Sequence, residues 1–425
     1  MSKPANCGAL KTRKTSWRLA ASITVCVLAS GTASAADAPL KVQVTPRSPS
    51  SAIPKGTMPT ATAGRAILRQ RLAASTPGSK QRADLAWVLR LDRRFGGSGQ
   101  PAGRRATVNR AVRINAWWFA RYPSPSQRVV LRDPDGVLAT YREHHGFMVN
   151  PVATIGRWRS LNKDVSNPRL ARTMLRMGVK RDVEGVEFRV WEYYDVADNR
   201  NAMRPGISAM GQARASLLLA QAYRQTGDPA YARGSLGALR ALTVPVDDGG
   251  GVSLVSFPES QPLTPWYVER AYPDANPWKG AALNGFMVTL LDLERTSEVM
   301  GRPKLPPPRP EAAYDAPPIE VAQAKNLARR LVDEGLVSLK RYIPAHDTGQ
   351  WSLYGLLTPG YRWREKVADL NYHCYHITLL RKLDADFPGQ TFAHFAVRWQ
   401  GYVRKQRLEC PSATPLPTAN SASNG

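Results

Sequence analysis

From about residue 80 onward, apolar residues recur three and four positions apart, with polar or small residues between them. That period predicts helices over 80–91, 106–122, 170–179, 208–226, 229–242, 282–300, 319–341, 371–383 and 391–407. Pro123, Ser124 and Pro125 stop the second of them. Only 128–141 reads differently, as a short hairpin around Asp133-Pro134-Asp135-Gly136. Most helices come in pairs joined by short Gly, Pro or Asp turns, and the buried Val/Ile runs of a parallel sheet are missing. The expected fold is therefore mainly α, an α/α barrel (a toroid of helical hairpins) with a short β-hairpin before it.

The ends of the chain break this pattern. Lys3, Lys11, Arg13, Lys14 and Arg18 precede an apolar run from Leu19 to Ala29, and Ala33-Ser34-Ala35 follows as a small-residue cleavage site. Residues 1–35 are thus read as a signal peptide, which implies a secreted or extracytoplasmic protein. Residues 36–79 are read as a Pro/Ser/Thr-rich linker, 80–140 as an N-terminal helical segment with the hairpin, 141–409 as the main domain and 410–425 as a disordered tail. No run approaches the roughly 18 apolar residues of a spanning helix, so no stable membrane insertion is expected.

Composition adds two things. With 59 Lys and Arg against 33 Asp and Glu the chain carries +26, and removing the five basic residues of 1–35 leaves 54 against 33, or +21. Such a field favours a polyanionic partner. Of the four cysteines, Cys374 and Cys410 lie outside the signal, and an exported protein permits them to pair.

Five stretches carry more polar and aromatic residues than a helical core needs: 146–151, 191–195 leading to 204–212, 266–273 with 283–286, 347–354, and Asp369 to His376. In the last, Tyr372, Tyr375 and His376 share one helix face. His373 and His376 are also three apart, but no third ligand is placed for a metal, and none is expected.

The order Asn150-Pro151, Ser208-Ala209-Met210 with Gln212, Leu283-Asn284-Gly285-Phe286, Asp347-Thr348-Gly349 with Tyr354, Tyr372-His373 with His376, and Arg398-Trp399 resembles the C-terminal catalytic domain of D-glucuronyl C5-epimerases, over about 141–405. The resemblance implies conversion of D-glucuronate to L-iduronate within an acidic, uronate-containing polysaccharide, without a dissociable redox cofactor. It implies no nucleic acid partner, and it leaves a homodimer open. It carries the family's two motif tyrosines over to Tyr354 and Tyr372. Binding roles fall to Arg204, Gln212, Tyr267, Glu269, Arg270, Asn284, His373, His376 and Arg398.

Removing the proton at carbon 5 pushes charge toward a carboxylate, which needs cations where the charge develops and an acid and a base on opposite ring faces. Tyrosine can serve if nearby cations such as Arg204, Arg270 or His376 lower its pKa from about 10. One position departs from the pattern. Relatives of the animal enzymes have a tyrosine before Ser-Ala-Met, where this chain has Ile207, so either another group such as Glu192, Tyr193, Tyr267 or Glu269 supplies the second face, or the protein has drifted from full epimerisation. A polysaccharide lyase, which shares the first proton abstraction, and a non-catalytic binder of anionic glycan are the alternatives.

Overall fold

The structure, a computed structural model, describes residues 50–161, 167–194, 205–256, 262–272, 282–302, 318–356 and 366–411. The signal segment, most of the Pro-rich stretch before Pro318, Arg204 and residues 412–425 lie outside the described residues.

An N-terminal layer comes first. Helices α1 (Ala61–Ala73), α2 (Lys80–Phe95) and α3 (Ala102–Phe119) pack on one another. Thr60 and Ser79 cap α1 and α2 by accepting from Ala63 N and Arg82 N, the usual service of a hydroxyl at a helix start. Helix α1 corrects the linker reading of 36–79: Leu68 is fully buried, and a Cβ on Gly64 would lie 3.3 Å from that of Ala116 on α3. Strands β1 (Ser50–Ala52), β2 (Val130–Arg132), β3 (Leu138–Arg142) and β4 (Gly146–Val149) form a sheet in that order, β1 parallel to β2 and the rest antiparallel. The hairpin expected over 128–141 is the β2–β3 pair of this larger sheet. Its turn is tied by Asp133, whose Oδ1 accepts from Asp135 N and Val137 N, both at 2.9 Å.

Helices α4 (Pro151–Leu161) and α5 (Pro168–Met177) lead to the hairpin β5 (Val179–Val183) and β6 (Val186–Val190). Helix α6 (Ala209–Thr226) is buried from Ala209 to Tyr223, and α8 (Leu283–Gly301) from Leu283 to Leu293. These two helices pack on each other through the core. Helix α7 (Pro229–Arg240) lies against α6, and α9 (Ile319–Tyr342) and α10 (Leu370–Asp386) against α8; α11 (Gln390–Lys405) covers α10. The hairpins β7 (Val252–Val255) with β8 (Thr264–Tyr267), and β9 (Leu353–Gly355) with β10 (Lys366–Val367), stand between them. The fold is mainly helical with small sheets, and among the described residues four antiparallel strand pairs stand beyond the one that the sequence pattern predicts.

A disulfide joins Cys374 on α10 to Cys410, with Cα atoms 5.6 Å apart. The expected tail is therefore pinned at its first residue. No helix among the described residues is long and apolar enough to cross a membrane.

Candidate active site

Three short extended segments meet beside the start of α6. Tyr193 and Gly206 exchange backbone hydrogen bonds at 2.9 Å, and Ile207 and Ala271 do the same at 2.9 and 3.0 Å. The Tyr193 hydroxyl donates across this seam to the carbonyls of Ile207 and Glu269, at 3.0 and 3.1 Å. It holds the turn after β8 in place, and in that turn sits Glu269.

Glu269 is 4% exposed, and its Oε2 has no hydrogen-bond partner among the described residues. Gly285, in the first turn of α8, leaves room for it: a Cβ there would stand 2.7 Å from that oxygen. Burial raises the Glu269 pKa to about 7, against the opposing pull of Arg270 and Arg214. A carboxyl so poised is half ionised near neutrality and suited to proton transfer. It lines a cavity with Arg142, Asn150, Tyr193, Ser208 and Arg270. The cavity offers about 40 Å³, room for a carboxylate-sized group given that a water needs roughly 10–15 Å³.

Tyr354 on β9 and Tyr372 on α10 form the other half. Their rings meet edge to face at 4.7 Å, and Lys366 stands 5.0 Å over the Tyr354 ring. Asp369 caps α10 by accepting from Tyr372 N at 2.8 Å. A backbone bridge between Ala282 and Gly355 brings β9 to the start of α8, and so toward Glu269. Burial, the Glu269 charge, Tyr372 and a hydrogen bond with it together push Tyr354 well above 10, with Arg270 opposing. The direction is opposite to the expectation of a cation-lowered tyrosine, so the Tyr354 phenol keeps its proton. Arg128 interacts electrostatically with Tyr372 and with Arg142.

The other candidates are occupied elsewhere. Glu192 is buried and ionised: burial pushes its pKa up, but Arg104 and Arg181 more than offset this, so it lies below the usual carboxylate value. Arg104 grips both its oxygens at 2.7 and 2.8 Å, Arg181 one at 2.7 Å, and the Tyr194 hydroxyl donates at 2.7 Å. No lone pair is left aimed at a substrate, which argues against a catalytic role. Tyr267, at the end of β8, is a core residue whose hydroxyl donates to Leu331 O on α9 at 2.6 Å.

His373 accepts from Ser352 N at Nδ1, which leaves Nε2–H to donate to Trp399 O at 3.1 Å. Burial lowers its pKa to about 4 and drops His376 well below 6.5. Both are neutral, share Ser352 Oγ at 2.8 and 3.0 Å, and brace α10 rather than supply a cation. Arg398 is paired at the surface with Asp347, which Tyr402 also holds at 2.9 Å, fixing the Asp-Thr-Gly turn. Gln212 and Asn284 are buried, each with its amide oxygen unpartnered among the described residues. Among those residues no group of three His, Cys, Asp or Glu could hold a metal.

Arg142 and Arg128 escaped the sequence reading. The one available signal was the pleat, which puts Thr140 and Arg142 on the same face of β3, toward the cavity both line.

A carboxyl poised near neutrality and a pair of tyrosines, with arginines nearby, could carry proton transfer on a mainly helical fold. The family described as D-glucuronyl C5-epimerase C-terminus matches residues 181–401, just over half of the chain, and the chain belongs to that family. It is 26% identical over 215 residues to a D-glucuronyl C5-epimerase of Caenorhabditis elegans, covering 50% of this chain and 32% of that protein. It is 28% identical over 202 residues to an uncharacterized protein of Methanocaldococcus jannaschii, covering 48% and 53%. The chain thus spans about a third of the first relative and about half of the second.

Proposed function

We propose that the protein is an exported uronate C5-epimerase, converting D-glucuronate to L-iduronate residues in an acidic polysaccharide on an α/α-barrel-type domain. Support comes from the family, from the name of the Caenorhabditis relative, and above all from one juxtaposition. Glu269, with a pKa of about 7, shares a site with the protonated Tyr354 and its partner Tyr372.

In this reading the Glu269 carboxylate takes the carbon 5 proton, and the C–H electron pair moves into the substrate carboxylate. Arg142 and Arg270 stabilise the added charge where it develops. The Tyr354 phenol then gives a proton to carbon 5 from the other face, with Tyr372 supporting the resulting phenolate. The return proton comes from the O–H formed on Glu269, through solvent. Ile207 needs no proton of its own, because the carboxyl beside it supplies that face. A high phenol pKa would equally suit protonation of a leaving oxygen at carbon 4, the lyase reading.

Incubating uronate polymers in deuterated water separates these outcomes. Deuterium at carbon 5 of an intact polymer supports the epimerase. A rise in ultraviolet absorbance with chain cleavage supports the lyase. Binding with neither change returns the protein to a glycan binder.

A further inference from the structure

A second cavity, of about 400 Å³, opens between α5, the β5–β6 hairpin and α7, and shares no lining residue with the first. Arg176, Lys180, Arg189 and Arg233 line it, against the single carboxylate of Glu187. That carboxylate is engaged by Lys180 at 3.3 Å. Among the described residues Arg176, Arg189 and Arg233 form no ion pair, so one carboxylate, already engaged by Lys180, faces three further guanidiniums.

Arg189 is built into the wall rather than draped over it. Its Nη1 donates to Leu175 O at 3.2 Å. Two glycines make way for its stem: a Cβ on Gly178 would come 2.5 Å from Arg189 Cδ, and one on Gly237 3.1 Å from Cβ. Gly237 lies inside α7, where glycine is unfavourable for a helix and calls for a packing reason. Burial pulls the Arg189 guanidinium below its ordinary pKa; Glu187 opposes, and Arg233 adds to the lowering. An anion in the cavity would relieve that repulsion, and planar guanidinium forks suit oxyanions.

We propose that this cavity is a second anion-binding site, taking an oxyanion of the sulfate or carboxylate kind, either borne on an acidic polymer or free in solution. The site is independent of the reaction assigned to the first cavity.

The test titrates the full chain with sodium sulfate at constant ionic strength, and separately with a sulfated oligosaccharide of defined length, by calorimetry. The Arg176→Ala/Arg233→Ala variant removes two exposed head groups, with its fold checked by thermal melting. Its sulfate affinity is expected to fall about tenfold or more, while Arg142→Ala, in the other cavity, keeps it. Parallel loss of oligosaccharide affinity identifies a polymer-borne group; loss for sulfate alone identifies a free anion. A wild-type chain without saturable sulfate binding, a double variant that binds as tightly as wild type, or loss of binding in Arg142→Ala instead would each overturn the proposal.

Discussion

At the scale of single residues, the site turns on a carboxyl whose ionisation is held back by burial. Its pKa of about 7 predicts that kcat/KM for carbon 5 exchange falls as pH drops through 7, since a base must be unprotonated. Glu269→Gln should cut exchange by about a hundredfold or more and remove that limb of the profile. The same shift has a stability sign. Below 4.5 both folded and unfolded states hold the proton, and above about 7 neither does. Folding therefore loses stability as pH rises between those values, by on the order of 3 kcal/mol, and Glu269→Gln should flatten the curve. Urea melts at pH 5 and pH 8 would show it. For the phenols, Tyr354→Phe and Tyr372→Phe should each lower turnover about a hundredfold with melting unchanged; near-normal exchange in both would sink the tyrosine mechanism. The motif tyrosines were legible because they stand in ordered short motifs. The poise of Glu269 was not, since burial in a turn leaves no mark in the adjacent sequence.

At the scale of elements, helix boundaries were legible to within a few residues wherever a long apolar period ran, as from Ser208 to Thr226. Helix α1 was missed because its Ala- and Arg-rich sequence buries only Gly64 and Leu68. The β5–β6, β7–β8 and β9–β10 hairpins are too short to show a period of their own. The ion pairs of Glu192 were illegible for a related reason: its partners Arg104 and Arg181 stand 88 and 11 residues away. Together they clasp α3, β5 and the segment after β6. Removing one member of a buried pair leaves charge uncompensated, so Glu192→Ala should destabilise the fold by about 3–5 kcal/mol. Loss of exchange in Glu192→Gln with unchanged melting would instead return this residue to catalysis. The Cys374–Cys410 bridge closes 36 residues, and reducing it should lower stability by about 3–4 kcal/mol in the chain-entropy account. Melting with and without reductant measures this.

At the scale of the whole molecule, the N-terminal layer belongs to the site. The family match begins at residue 181, yet Arg142 and Asn150 line the first cavity, and Arg104 secures Glu192 from α3. Cations thus approach the site from both parts of a chain whose formal charge is +26. Affinity for an acidic polysaccharide should fall steeply between about 0.01 M and 1 M salt, as the screening length shrinks from ~30 to ~3 Å. Affinity indifferent to salt would make the basic excess irrelevant to capture.

The hydrogen at Gly285 where other residues carry a Cβ has an evolutionary consequence. A methyl there would press on the Glu269 carboxyl from 2.7 Å, so the two positions are coupled by volume as well as by chemistry. Across an alignment of descendants and cousins they should therefore substitute together: lineages keeping an acid at 269 should keep glycine at 285, and those enlarging 285 should have surrendered the acid first.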